Sequence, residues 1–148
     1  MKSKAFTLIE ILIVVILLGI LAAIIIPQFG SSSDDARLSA TKTDLSTIRT
    51  QLQLYRVNHN NAFPTSWAQM QKYTDQSGAT ADTADTTHVY GPYLDTPPTN
   101  QFNNLSTITV GTGTNPKDGS SGWYYNSTTG VFQANCTNSV GSVVVGNL

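Results

Sequence analysis

Ala5-Phe6-Thr7-Leu8-Ile9-Glu10-Ile11-Leu12-Ile13-Val14-Val15-Ile16-Leu17-Leu18-Gly19-Ile20-Leu21-Ala22-Ala23-Ile24-Ile25-Ile26 is an apolar run broken by one charge, Glu10. From Phe6 onward it would span about 30 Å as a helix, the thickness of a bilayer core. A carboxylate at the start of such a segment is costly to bury and is not expected there without a use. Ahead of the run stands a short basic leader, Met1-Lys2-Ser3-Lys4. Secretory signal peptides also begin with positive charge, but their apolar core is about 7–15 residues long and ends at a small-residue cleavage site. Here the small residues Ala22 and Ala23 lead into more isoleucine, and Pro27 follows. The cleavage signal precedes the apolar segment. Lys2 and Lys4 hold the N-terminus in the cytoplasm by the positive-inside tendency, so the remainder faces outward.

Composition narrows the class. The 148 residues suit one small domain plus its anchor. The net charge is −1, and removal of the leader with Lys2 and Lys4 leaves six basic against nine acidic side chains. No basic patch argues for nucleic acid. Charged residues make up 11% of the chain, against about 25% in typical globular proteins, so Ser, Thr, Asn and Gln must wet the surface. Cys136 is the sole cysteine and can form no intramolecular disulfide; it is expected as a small, semi-buried residue.

Beyond Pro27, where a kink or local loosening is expected, Ser31–Asp35 has the composition of a helix start. Leu38, Leu45, Ile48, Leu52 and Tyr55 then form one apolar stripe, which ends near Asn58-His59-Asn60-Asn61. The two segments join through Pro27 into one long helix. Thr65 or Ser66 could cap a short helix bearing Trp67, Met70 and Tyr73. Asp75–Thr87 is expected as a mobile loop, and Gly91–Pro98 as irregular. Thr107–Val110, Trp123–Tyr125 and Val131–Gln133 have strand character, the last two flanking a hairpin connection at Asn126–Gly130. Val140–Val145 is expected as an edge strand or extended tail.

Catalytic chemistry is scarce. His59 and His88 fall at no metal-ligand spacing, neither is near Cys136 in sequence, and both are expected to be solvated. No phosphate-binding glycine loop and no G-x-S-x-G occurs. Sequons at Asn104, Asn126 and Asn135 are chance products of an Asn/Ser/Thr-rich chain. The expectation is that the chain is not an enzyme.

The string Lys4-Ala5-Phe6-Thr7-Leu8-Ile9-Glu10 with its apolar continuation resembles the class III signal of type IV pilins and type II secretion pseudopilins. Phe63-Pro64-Thr65, Tyr90-Gly91-Pro92-Tyr93-Leu94 and Gly122-Trp123-Tyr124-Tyr125 are similar to segments of the major pseudopilins, the G-type subunit. The resemblance implies an α+β, pilin-like fold, a long N-terminal helix packed on a small C-terminal antiparallel sheet. It implies a leader at 1–5, a transmembrane or filament-core helix at 6–29, an amphipathic helix at 30–61, and a loop-rich region with a short β-sheet at 62–148. A prepilin peptidase would cut between Ala5 and Phe6 and N-methylate Phe6, although the family usually has Gly where this chain has Ala5. Glu10 would pair with the N-terminal amine at Phe6 of a neighbouring subunit during filament assembly, and Gly19 and Pro27 would bound a stretch that can kink or melt.

The acidic calcium loop typical of the G-type subunit does not carry over, because Lys117–Gly122 keeps only its D-G-x-x-G skeleton. No cofactor is expected; Asp118 should serve a turn, and Asp95 and Asp118 are the residues a calcium ion would use. The implied protein is a structural subunit of a helical pseudopilus that drives export of folded proteins from the periplasm. It would be anchored in the bacterial inner membrane by a single span, with lipid around it before assembly. Its partners would be further copies of itself, minor pseudopilins, the prepilin peptidase and the inner-membrane assembly platform, with no nucleic acid. Two rivals stay open: a type IV pilin for adhesion, motility or DNA uptake, and a membrane-anchored extracytoplasmic binding module.

Overall fold

The computed structural model describes residues 6–140 and 142–148, with the backbone alone at 24–31. The chain falls into two compact units, Met1–Ala36 and Arg37–Leu148. The first element, α1 (Leu8–Asn58), is a single helix. Ser31–Asp35 is therefore not a helix start: the backbone stays helical through Pro27, where one missing N–H donor does not end the hydrogen-bond ladder.

In the second unit, Leu38, Leu45, Ile48, Leu52 and Tyr55 are all buried, as their spacing predicts. Thr41 and His59, both buried, complete the stripe at alternating steps of three and four. Thr41 Oγ1 has no hydrogen-bond partner among the described residues. The helix stops where Asn60 and Asn61 take positive φ values of 52° and 64°, a region that asparagine tolerates better than most residues. The Asn61 N–H then donates back to the Arg56 carbonyl at 2.9 Å.

A short helix, α2 (Ala68–Gln71), follows and buries Met70. Neither Thr65 nor Ser66 caps it. Instead Gln69 Oε1 accepts from the Thr65 N–H at 2.7 Å, and Gln69 Nε2 donates to the Gly78 carbonyl at 2.7 Å. Tyr73 lies beyond this helix, in β1 (Tyr73–Thr74), which pairs antiparallel with β2 (Thr80–Ala81). Asp75–Thr87 thus contains ordered structure rather than a featureless loop. Asp75 Oδ1 organises its turn by accepting from the N–H groups of Ser77 and Ala79, each at 2.9 Å.

The main sheet has the order β3 (Ile108–Gly111), β4 (Trp123–Asn126), β5 (Phe132–Ala134). Tyr125 opposes Phe132 in the expected hairpin. However, β3 runs parallel to β4, with Ile108 beside Trp123, so this sheet is mixed. A parallel partner requires a crossover, which the long connection after Gly111 supplies. Val140–Val145 does not extend this sheet; β6 (Ser139–Val140) and β7 (Val143–Val144) form their own ladder before a 3₁₀ turn at Val145–Asn147.

The core joins the α1 stripe to Met70, Tyr93, Trp123, Tyr125, Phe132, Ala134, Cys136 and Val145. Every residue of β4 is buried, and its aromatic side chains reach loops on different sides. Trp123 Nε1 donates to the Pro98 carbonyl at 2.7 Å, Tyr124 Oη to Gly113 at 2.8 Å and Tyr125 Oη to Pro64 at 2.9 Å. Arg49 ties α1 to β5, donating through Nη2 to the Phe132 carbonyl at 2.8 Å and also to the backbone oxygen of Leu148. At Gly122 a Cβ would fall 2.0 Å from the Leu105 carbonyl oxygen, so close backbone approach demands glycine there.

This packing separates two leucines on one helix. Leu52→Ala should lower unfolding free energy by about 2–5 kcal/mol through lost burial and a cavity. Leu54, 47% exposed, should tolerate the same change within about 0.5 kcal/mol. Urea unfolding in mild detergent, followed by Trp67 and Trp123 fluorescence, measures both. Equal losses at the two positions would refute the assigned helix face.

Candidate assembly site at the N-terminus

Thr7 and Glu10 build the start of α1. The Thr7 N–H and Oγ1 both donate to Glu10 Oε2 at 2.8 Å, while the Glu10 N–H donates to Thr7 Oγ1 at 3.3 Å. This is a reciprocal capping box, in which a hydroxyl and a carboxylate three residues apart satisfy donors that a helix start leaves free. The carboxylate is thereby held beside the chain's own first turn. Sequence reasoning singled out Glu10 and missed Thr7, although the Thr7-x-x-Glu10 spacing carries the signal.

Around this box the helix is apolar on every side. Phe6 is 78% exposed, and the large apolar side chains from Leu8 to Leu21 are all substantially exposed, with no covered face. Gly19 has no atom within 4 Å of where a Cβ would stand. Ala5, Lys2 and Lys4 lie outside the described residues, as does the side chain of Pro27. Among the described residues, no helix is long and apolar enough to cross a membrane; their apolar side chains end at Ala23, three short of the run's end at Ile26.

The other residues singled out by sequence lie in the second unit. Asp118 Oδ1 accepts from the Ser120 N–H at 3.0 Å, Ser120 Oγ at 2.7 Å and Asn135 Nδ2 at 3.0 Å. The hydrogen bonds from Ser120, with that from Asn135, hold its carboxyl below the ordinary range. Asn135, fully buried, returns its Oδ1 to the Asp118 N–H and donates from Nδ2 to Ser121 Oγ at 2.9 Å. An amide therefore stands at the centre of the loop. Asp95 is exposed, and its backbone carbonyl accepts from Gln71 Nε2. Among the described residues no three His, Cys, Asp or Glu gather where a metal could be held.

The histidines differ from expectation. His59 is not solvated: its ring stacks on Tyr55 with centroids 3.7 Å apart, and it meets the edges of Tyr90 and Tyr93. Nδ1 faces the Tyr55 carbonyl at 2.7 Å and Nε2 faces Thr74 Oγ1 at 2.9 Å. A carbonyl only accepts, so in the neutral ring the proton sits on Nδ1 and the Thr74 hydroxyl donates to Nε2. His88 is partly buried and pairs with Asp85 at 2.8 Å. The backbone N–H of His88, its ring and the Thr87 N–H pull the Asp85 carboxyl down to about 2. Cys136 is buried, and burial pushes its thiol up, away from nucleophilic use.

Asn135→Ala should cost about 1–3 kcal/mol, because the Asp118 N–H loses its acceptor and Ser121 Oγ loses a donor. The Asp118 carboxyl midpoint should rise. Its folded value is depressed, so its stabilising contribution is present above the unfolded value, near 3.9, and fades as pH falls through the folded one. Side-chain NMR titration of wild type and variant checks this; an unmoved midpoint refutes the amide's role.

Residues 1–26 match the family model described as the prokaryotic N-terminal methylation motif. The chain is 42% identical over 65 residues to type II secretion system core protein G of Pseudomonas aeruginosa, covering 44% of this chain and 45% of that protein. The protein of the same name from Vibrio cholerae is 32% identical, over 44% of each chain. That from Escherichia coli is 28% identical, again over 44% of each. The chain thus spans under half the length of these curated relatives. No solved structure matches it significantly. The resemblance to the pilin and pseudopilin family therefore rests on two findings, the prepilin-type motif at the N-terminus and similarity to the type II secretion core protein G.

Proposed function

We propose that this chain is the major pseudopilin of a type II secretion system, a structural subunit of a helical filament that drives export of folded proteins from the periplasm. The observation that carries the reading is the stretch at 6–23, helical from Leu8, exposed and apolar around its whole circumference, with Glu10 as its only charge. So large an apolar surface needs a cover. Lipid of the inner membrane supplies it before assembly, and the helices of neighbouring copies supply it in the filament. The prepilin-type motif and the similarity to core protein G support the same reading.

In this reading a prepilin peptidase cuts between Ala5 and Phe6 and methylates Phe6. Glu10 then exchanges its bonds to Thr7 for the N-terminal amine of a neighbour, setting axial register through an opposite charge in a dry environment. Minor pseudopilins and the assembly platform of the inner membrane are the remaining partners. Gly19 and Pro27 bound the stretch that loosens as a subunit leaves the bilayer. The role is structural, without catalysis. The single buried Cys136 distinguishes the chain from pilins closed by a disulfide.

Intact mass of the membrane-extracted protein should show a chain beginning at Phe6 with one N-terminal methyl group. A retained Met1, or a cut after Ala23, overturns the reading. Glu10→Ala should keep membrane levels and lose at least about tenfold in sheared filament yield, the scale of one lost charge contact in a dry site. Unchanged yield would remove Glu10 from assembly.

We further propose that the second unit folds without calcium, its Asp118 loop being held by Asn135. Thermal melts in excess calcium and in chelator should coincide. A displacement of many degrees would show that Asp95, Asp118 or other oxygens hold the ion after all.

A further inference from the structure

The two edges of the β3–β4–β5 sheet differ chemically. Along β5, the carbonyls that point away from β4 are occupied by side chains. Arg49 donates to that of Phe132, and Asn115 Nδ2 donates to that of Ala134 at 2.8 Å. Along β3, the Thr107 and Gly111 carbonyls accept from the N–H groups of Trp123 and Ser127, so the odd-numbered residues turn their backbone groups toward β4. The N–H and C=O groups of Ile108 and Val110 therefore point the other way. Among the described residues nothing bonds to them from that side.

This open edge is also unguarded. Proteins usually blunt a free edge with a charge, a proline or a bulge. Residues 106–114, Ser-Thr-Ile-Thr-Val-Gly-Thr-Gly-Thr, hold no charge and no proline, and β3 keeps an unbroken register with β4. Side chains alternate between faces. Ile108 and Val110 lie on the face of Trp123 and Tyr125, where Ile108 packs against the core and Val110 is left 38% exposed. Thr107, Thr109 and Gly111 lie on the opposite face. A row of free backbone donors and acceptors fits one kind of occupant, another extended backbone.

We propose that the β3 edge pairs antiparallel with the β3 edge of a second copy of this chain, about a two-fold axis at Thr109. The register follows from which groups are free. Ile108 of each copy exchanges N–H and C=O bonds with Val110 of the other, so both free donors and both free acceptors of each edge are used. Ile108 and Val110 of the two copies then share one face, apolar beside apolar, and the exposed flank of Val110 is covered. On the other face Thr109 meets Thr109 of the second copy, a favourable cross-strand pair. No like charges oppose each other. This match of bonding, apolar face and charge selects a second copy over an unrelated strand. The contact is isologous and closes as a dimer, so it is separate from the head-to-tail packing of the filament reading.

The test uses the full chain in its membrane, oxidised with copper phenanthroline. In this register Thr109 sits at a non-hydrogen-bonded position, with Cα atoms about 4.5 Å apart, within the span a disulfide bridges. Thr109→Cys should therefore cross-link to itself. Thr107→Cys, exposed on the same face, should not, because its counterpart lies on the far side of the axis. Cys136 is buried and does not compete. Adding Val110→Lys, which guards the edge, should abolish the Thr109→Cys dimer while Trp67 and Trp123 fluorescence shows the domain still folded. Amide hydrogen exchange of the wild-type chain gives a reading that needs no variant. The Ile108 and Val110 N–H groups should be protected at high copy density in the membrane and lose that protection in dilute detergent. Equal cross-linking at positions 107 and 109, no dimer at 109, or exchange that ignores copy density overturns the pairing. Capture of a different protein by Thr109→Cys, with no dimer, assigns the edge to another chain's strand and overturns it too. None of these outcomes touches the processing at Phe6 or the filament yield on which the proposed function is judged.

Discussion

The stripe from Leu38 to His59 must be kept dry, and almost everything in the second unit serves to cover it. Each of its large side chains gains about 1.5–3 kcal/mol by leaving water, and one face of a helix cannot shield itself. The cover is aromatic. Trp123, Tyr125 and Phe132 supply area from a sheet of only three short strands, with Trp123 and Phe132 stacked at 5.6 Å and Trp67 against Phe132 at 5.5 Å. Large rings let a few residues do what longer strands would otherwise do.

The polar ends of those rings explain how so irregular a chain stays organised. Trp123, Tyr124 and Tyr125 each donate to a carbonyl in a loop that contains proline or glycine. Buried amides complete the pattern: Asn100 Nδ2 donates to the Gly122 carbonyl and Asn115 Nδ2 to that of Ala134, both within 2.8 Å. With so few charged residues, neutral amides do much of the cross-linking between loops. Neutral groups carry a smaller desolvation penalty than buried ions, so this network can lie inside the domain.

The N-terminal unit obeys the opposite logic. Among the described residues its apolar side chains from Phe6 to Leu21 are exposed, and the carboxylate within that run, Glu10, is occupied by Thr7. The capping box gives Glu10 hydrogen-bond partners within its own first turn.

Much of this was legible in the sequence, for a physical reason. Helical periodicity and strand alternation are local, so the α1 stripe and the β4–β5 hairpin could be read from spacing alone, and the prepilin-type motif is a contiguous string. What spacing cannot express is which distant groups meet. The burial of His59, in a stretch that looks polar, follows from Tyr55 beneath it and Tyr90 and Tyr93 beside it. The parallel pairing of β3 with β4 and the amide at the centre of the Asp118 loop both depend on residues far apart in the chain. The sequence by itself determined the helix, its dry face and its apolar N-terminal end, because these depend on neighbours three or four residues away. Only the tertiary structure decided which polar groups are sheltered, because desolvation is a property of the packed interior.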